Sequence, residues 1–285
     1  MRYTIVEPNP NPTRFMIKPL YGLEPEEADA MHKRMRWELS DAEYFIYIFK
    51  PVDKKLIQKF IPPPLRIMPG SPLISVFIQQ LTLNGGKGND SLNYGYLEHF
   101  VAALTTYKGR FGVYPLAIFI ESDIGAMLGR ESFGTAKKVA QFEYERSDAG
   151  FSWKVMRRGI TLIEASGRFT DMKVDPNNVL RLIRAPSYHL QQIIGPLHGE
   201  DYFGYPPRLM EMTPGLKKLH SMKACDDVTL AYHESPFDPI CLVRPKEILA
   251  VTYLNADTAI EGTGFLEEVD PKTALPFLFS KNDPF

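Results

Sequence analysis

Between residues 41 and 254 the chain runs through short segments that alternate apolar with polar residues or stay apolar throughout, and this patterning restricts it to a strand-rich fold. Asp41 to Lys50, Leu73 to Leu83, Tyr94 to Tyr107, Val113 to Ile120, Lys138 to Glu145, Phe151 to Phe169, Asp227 to His233 and Ile248 to Leu254 all read as strands. Helical signals are few. Asp53 reads as the cap of a helix over Lys54 to Phe60, which Pro62, Pro63 and Pro64 end. A second helix is expected from Asn178 to Arg184, interrupted by Pro186 and resuming around Leu190 to Ile194. No linker or repeat divides the strands, and 285 residues with 44% hydrophobic content suffice for one large core, so one β-rich α+β domain is expected. Residues 1–40 read as an N-terminal arm with a helix that Glu24, Pro25, Glu26 and Glu27 open toward Trp37. The main domain is placed at 41–257 and a C-terminal tail at 258–285.

Charge excludes several partners. With 33 basic and 34 acidic side chains, the net charge of -1 leaves no footprint for nucleic acid or anionic lipid. The first residues lack the apolar core of a signal peptide, and no run approaches the roughly 18 apolar residues of a membrane span, which makes the cytoplasm the expected location. Cys225 and Cys241 read as free thiols, since neither stands in a metal-binding or disulfide-framework spacing. His189, His198 and His220 are isolated, and His233-Glu234 lacks the second histidine of a zinc helix. The glycine-rich stretch from Gly85 to Asp90 has no GK[ST] and reads as a hairpin or loop. No metal and no organic cofactor are expected.

The chemistry concentrates at residues 129–138, GRESFGTAKK. Adjacent lysines are ordinarily solvated surface charge, yet Lys137 and Lys138 lie between 114–120 (YPLAIFI) and 139–142 (VAQF), runs that read as buried strands. A lysine carried there must be paired, solvated at a cleft, or neutral. Attack on a carbonyl needs the neutral amine, whereas an ordinary lysine titrates near 10.4 and is protonated at pH 7. Repulsion from a second ammonium about 6 Å away at an effective dielectric of about 20 contributes about 3 kcal/mol, or about two pKa units. Full burial reaches about 3 to 5 units without help. Desolvation is therefore the larger effect, with Lys138 a structural or secondary contributor. Successive strand residues point to opposite faces, so the two lysines share a pocket only if the backbone bends between them.

Gly129-Arg130-Glu131 and Lys137-Lys138, at this spacing, resemble the Schiff-base lysine motif of the acetoacetate decarboxylase superfamily. Tyr96-Leu97-Glu98 resembles the segment in which the family carries an acidic residue facing the reactive amine, and Glu43-Tyr44-Phe45 followed by 61–67 (IPPPLRI) resembles its opening strand and proline turn. The resemblance spans roughly residues 40 to 257, and the family is itself a standard case of an activated lysine. It implies a closed β-barrel or cone-like antiparallel sheet with peripheral helices, a homo-oligomer, and a small keto acid or other carbonyl substrate. Lys137 then becomes the nucleophile and Glu98 a proton shuttle suited to a cleft with raised carboxyl basicity. Arg130 and Tyr96 are the candidate substrate contacts, although Arg130 and Glu131 also suit bracing of the turn. Two departures bear on substrate: Ala42 stands where acetoacetate decarboxylase has an arginine in the opening strand, and the apolar Val76 to Ile78 stand where it has a second glutamate. Both argue against acetoacetate itself. The expected function is a cofactor-independent lyase decarboxylating a larger β-keto acid, with aldolase-dehydratase chemistry through the same lysine as the alternative and a non-catalytic binding barrel as a third.

Overall fold

The strand-like runs pair into one sheet of 13 strands. In chain order these are β1 (Glu38–Pro51), β2 (Arg66–Ile67), β3 (Leu73–Gln80), β4 (Thr82–Leu83), β5 (Tyr96–Tyr107), β6 (Arg110–Ile120), β7 (Lys137–Val139), β8 (Gln141–Arg146), β9 (Gly150–Arg157), β10 (Ile160–Thr170), β11 (Ser187–Gln191), β12 (Arg208–Tyr232) and β13 (Pro245–Glu268). The computed structural model describes residues 24–27, 38–80, 82–83, 95–195 and 202–277. The N-terminal helix beyond Glu27, the Gly85 to Asp90 stretch and His198 lie outside the described residues. No described helix is long and apolar enough to cross a membrane.

The sheet order is β11-β6-β5-β3-β1-β13-β12-β10-β9-β8, and β11 also pairs with β12. Seven strands thereby close into a ring, the barrel or cone that the family resemblance implies. The closure is mixed rather than wholly antiparallel, because β11 and β7 both run parallel to β6. β11 meets β6 at Val113 and β7 meets it at Ile118 to Ile120, so the short β7 covers the stretch of edge that β11 leaves open.

Both faces of the ring wall are covered, which explains runs that are apolar throughout. Along β1, Ala42, Tyr44 and Ile46 belong to an inner cluster with Val76, Ile78 and Leu254. Phe45, Tyr47 and Phe49 point the other way, into an aromatic core shared with β9. There Phe45 lies 4.4 Å from Phe151 and Phe77 stacks on Trp153 at 4.6 Å, centroid to centroid. Each such large buried side chain contributes about 1.5–3 kcal/mol.

Several sequence expectations are corrected. Phe151 to Phe169 is two strands, joined by Arg158-Gly159 with both residues at positive φ, a two-residue hairpin turn that an arginine does not advertise. Leu190 to Ile194 is not a resumed helix. Ser187–Gln191 is the ring-closing strand β11, buried along most of its length and so without alternation. β12 and β13 run far beyond the expected seven residues each, since their extensions are half exposed and polar. The 40/41 and 257/258 divisions fall inside β1 and β13. Asp53 caps the first helix, α1 (Lys54–Ile57), accepting from the amides of Lys55 and Leu56, and the segment continues as a 3-10 turn to Phe60. α2 spans Asp123–Leu128, and α3 spans Pro176–Ile183 with Asp175 as its cap and proline at its first position. α4 (Pro271–Ala274) closes the described chain.

Candidate active site

The segment carrying the lysines is a chain of tightly specified local structures. Ser122 caps α2, accepting from the Gly125 amide, and the helix widens into a π turn over Gly129–Phe133. Gly134 then reverses the chain at φ 77°. A Cβ there would lie 2.5 Å from the Gln191 Cα, so both conformation and space require glycine. At Gly129 a Cβ would stand 2.7 Å from Thr135 Oγ1 and 2.8 Å from Lys137 Cδ. Gly129 thus leaves room for the Lys137 stem, and Gly134 for the close approach of β11. Gln191 Nε2 donates to the Glu131 carbonyl at 2.7 Å and ties the turn to β11.

β7 then sends its lysines apart. Lys137 pairs in register with Ile118, which lines a cavity inside the ring, and Lys138 with Phe119 of the aromatic core. Lys137 is 7% exposed and Glu98 8%, and Lys137 Nζ donates to Glu98 Oε2 at 2.8 Å. Lys138 Nζ donates instead to Asp238 Oδ1 at 2.8 Å, and Asp238 Oδ2 accepts from Arg157 Nε at 2.8 Å. The pleat question left open by the sequence is settled: the lysines face opposite sides.

The cavity holds about 200 Å³ and draws its wall from all seven ring strands, the π turn and α3. Among the described lining residues, Lys137 and Glu98 are the only Lys, Arg, Asp or Glu side chains. Its other polar side chains are Tyr44, Tyr96, Thr135, Ser187, His189 and Thr258. Thr135 Oγ1 is buried with no hydrogen-bond partner among the described residues. Tyr96 lies on the wall as the motif suggested, whereas Arg130 is half-buried on the π turn and does not line the cavity. Ala42 is wholly buried in the inner cluster and also stays off the wall. The residue that the sequence reading missed is Tyr44, two positions along the same strand face. Alternation from Ala42 was the signal available for it. Its hydroxyl lies 2.5 Å from that of Thr258. Burial pushes the Tyr44 phenol up, the Thr258 bond lowers it and the Glu98 charge raises it further, so it stands as a neutral hydroxyl.

Two other groups lie outside the cavity. Next to Glu98, His99 points into the aromatic core, where burial pushes it down to about 3 and its Nε2 meets Ser75 Oγ at 2.9 Å. Asp41, His220 and Asp257 bring three metal-type donors together at the surface. Asp257 Oδ1 already accepts from the Asp41 amide at 2.9 Å and lies 2.8 Å from His220 Nε2, which accounts for the cluster without an ion.

Comparisons with known proteins agree with this architecture. Acetoacetate decarboxylase 1 of Bradyrhizobium diazoefficiens is 24% identical over 153 residues, covering 54% of this chain and little more than half, 58%, of that relative. The crystal structure of acetoacetate decarboxylase from Legionella pneumophila superposes with a TM-score of 0.71 at 18% identity, over 82% of this chain and 88% of its own. An acetoacetate decarboxylase-like enzyme from Sphingomonas wittichii gives 0.69 at 16% identity, over 83% and 94%. The enduracididine biosynthesis enzyme MppR, complexed with the condensation product of pyruvate and imidazole 4-carboxaldehyde, gives 0.69 at 15%, over 87% and 95%. The family model for acetoacetate decarboxylase matches residues 23–269, from before β1 to the end of β13, and the chain belongs to the acetoacetate decarboxylase family.

Proposed function

We propose that the chain is a cofactor-independent lyase in which Lys137 forms a Schiff base with a carbonyl substrate and Glu98 moves the protons, decarboxylating a β-keto acid larger than acetoacetate. The observation that carries this reading is the buried Lys137–Glu98 pair at 2.8 Å, set in a wall with no other Lys, Arg, Asp or Glu among its described residues. The 2.8 Å hydrogen bond is the path along which the proton passes from the amine to the carboxylate, so that the nitrogen lone pair can add to a carbonyl.

The neutral amine adds to the ketone, Glu98 returns its proton to the carbinolamine oxygen so that water leaves, and the resulting iminium accepts the electron pair of the breaking bond to the carboxylate carbon. Carbon dioxide departs and a neutral enamine remains. Because iminium and carboxylate charges cancel in this step, a low-dielectric cavity favours it. Glu98 takes up one proton from solvent and passes it to the enamine carbon, and one water then adds to the iminium, returns the amine and releases a ketone shorter by one carbon. The balance is one keto acid anion and one proton giving one ketone and one carbon dioxide, with the proton entering through Glu98.

The wall, with its many aliphatic and aromatic side chains around a cavity of about 200 Å³, suits a substrate that carries an apolar chain or ring. A second reading is favoured by the lack of any arginine on the described wall: aldol cleavage or dehydration of an uncharged carbonyl compound through the same iminium. MppR, which shares the fold, is seen complexed with a condensation product of a keto acid and an aldehyde. Steady-state assay of carbon dioxide release from acetoacetate, benzoylacetate and longer 3-oxo acids tests the first reading, which expects higher kcat/KM for the bulkier acids. Acetoacetate having the highest value would return the chain to the parent activity. Cleavage of β-hydroxy ketones with no carbon dioxide from any acid would establish the second reading, and inertness toward every carbonyl compound would leave a binding barrel.

A further inference from the structure

The cavity wall holds a hydrogen-bond donor that the lysine chemistry does not use. Tyr44 and Thr258 are both buried, with hydroxyl oxygens 2.5 Å apart. Two hydroxyls carry two hydrogens, and their mutual bond uses one. Neither side chain makes another hydrogen bond among the described residues, so one donor is left unspent beside an apolar cavity. A buried polar hydrogen without an acceptor costs free energy, and a ligand oxygen relieves it.

Position ties this pair to the reacting centre. Tyr44 is in register with Ile78, and Ile78 with Glu98, so the three form one row across β1, β3 and β5. With neighbouring strands about 4.8 Å apart, the Tyr44 and Glu98 backbones are separated by roughly 10 Å while both side chains reach into the same cavity. The Glu98 charge acts on the Tyr44 phenol across this span, and burial keeps that phenol neutral. A neutral hydroxyl pair offers a carboxylate no compensating charge, unlike the charge-assisted fork of an arginine. It suits an uncharged oxygen.

We propose that Tyr44 and Thr258 form a subsite for an uncharged hydroxyl or carbonyl oxygen of the substrate, which is therefore a carbonyl compound bearing a second, uncharged oxygen function at a distance from the carbon that Lys137 attacks. This rests on Lys137 being the nucleophile. Two ketones that differ by one hydroxyl, 4-hydroxy-4-phenylbutan-2-one and 4-phenylbutan-2-one, isolate the subsite when titrated calorimetrically into the full-length wild type and Tyr44→Phe. The wild type is expected to bind the hydroxy ketone roughly threefold to tenfold more tightly, and the ratio to fall to about one in Tyr44→Phe. Thr258→Val carries the same comparison should Tyr44→Phe not fold. Equal affinities in the wild type, a ratio unchanged by both substitutions, or no binding of either ketone would overturn the subsite. Borohydride trapping of the same two ketones, with peptide mapping, tests the nucleophile separately. A preserved affinity ratio without any adduct on Lys137 would refute the Schiff base while leaving the subsite standing.

Discussion

Lys137 and Lys138 are neighbours in sequence and strangers in environment. The first enters a cavity with one carboxylate partner, Glu98, and an apolar wall. The second enters the opposite layer, where Asp238 joins it to Arg157. The contrast teaches that adjacency in the motif does not put the two amines in one pocket: the pleat turns the second lysine to the opposite face, and Asp238 pairs with it there. The same split recurs on β5, where Glu98 faces the cavity and His99 the aromatic core.

Substitutions can break or sharpen this contrast. Lys137→Ala is expected to abolish turnover and adduct formation with the fold retained, as seen by circular dichroism; residual single-turnover chemistry would break it. Glu98→Gln keeps shape but cannot exchange a proton, so kcat should fall by roughly two to four orders of magnitude with little change in KM. A change confined to KM would make Glu98 a substrate anchor. Gly129→Ala places a methyl against Lys137 Cδ and should cost about a hundredfold in kcat by displacing the amine, while the Lys138–Asp238 ion pair is untouched. Lys138→Met should do the reverse: denaturant titration is expected to show a loss of about 1–3 kcal/mol from the Asp238 cluster, with kcat within about threefold of wild type. His99, outside the cavity, bears on stability alone and only under acid conditions. Its folded imidazole titrates at about 3 against an ordinary 6.5, so the unfolded chain binds more protons between these values. Stability is full above about pH 6.5 and falls as pH drops toward 3, by a few kcal/mol at most. Acid unfolding of His99→Gln compared with wild type should show a shallower decline across that window.

The contrast was partly legible from residues alone. GRESFGTAKK between apolar runs pointed to a constrained amine, whereas Glu98 was reached only through the resemblance of Tyr96-Leu97-Glu98 to the family's acidic segment. Which lysine faced the cavity was not, since the register of β7 is set by its parallel pairing with β6. Alternation puts Tyr44 on the same strand face as Ala42, but that this face lines a cavity shared with Glu98 follows only from the row that Tyr44 forms with Ile78 and Glu98. Ring closure was equally hidden. β11 is buried too evenly to show a period, and its pairing with both β6 and β12 joins segments far apart in the chain.

Borohydride reduction of the wild-type protein with a bound aryl keto acid or ketone, followed by peptide mass mapping of residues 129–146, tests the asymmetry of the two lysines most directly. The expected result is one reduced adduct on Lys137, with Lys138 unmodified and the same outcome in Lys138→Met. An adduct on Lys138, or labelling divided between the two, would contradict the account.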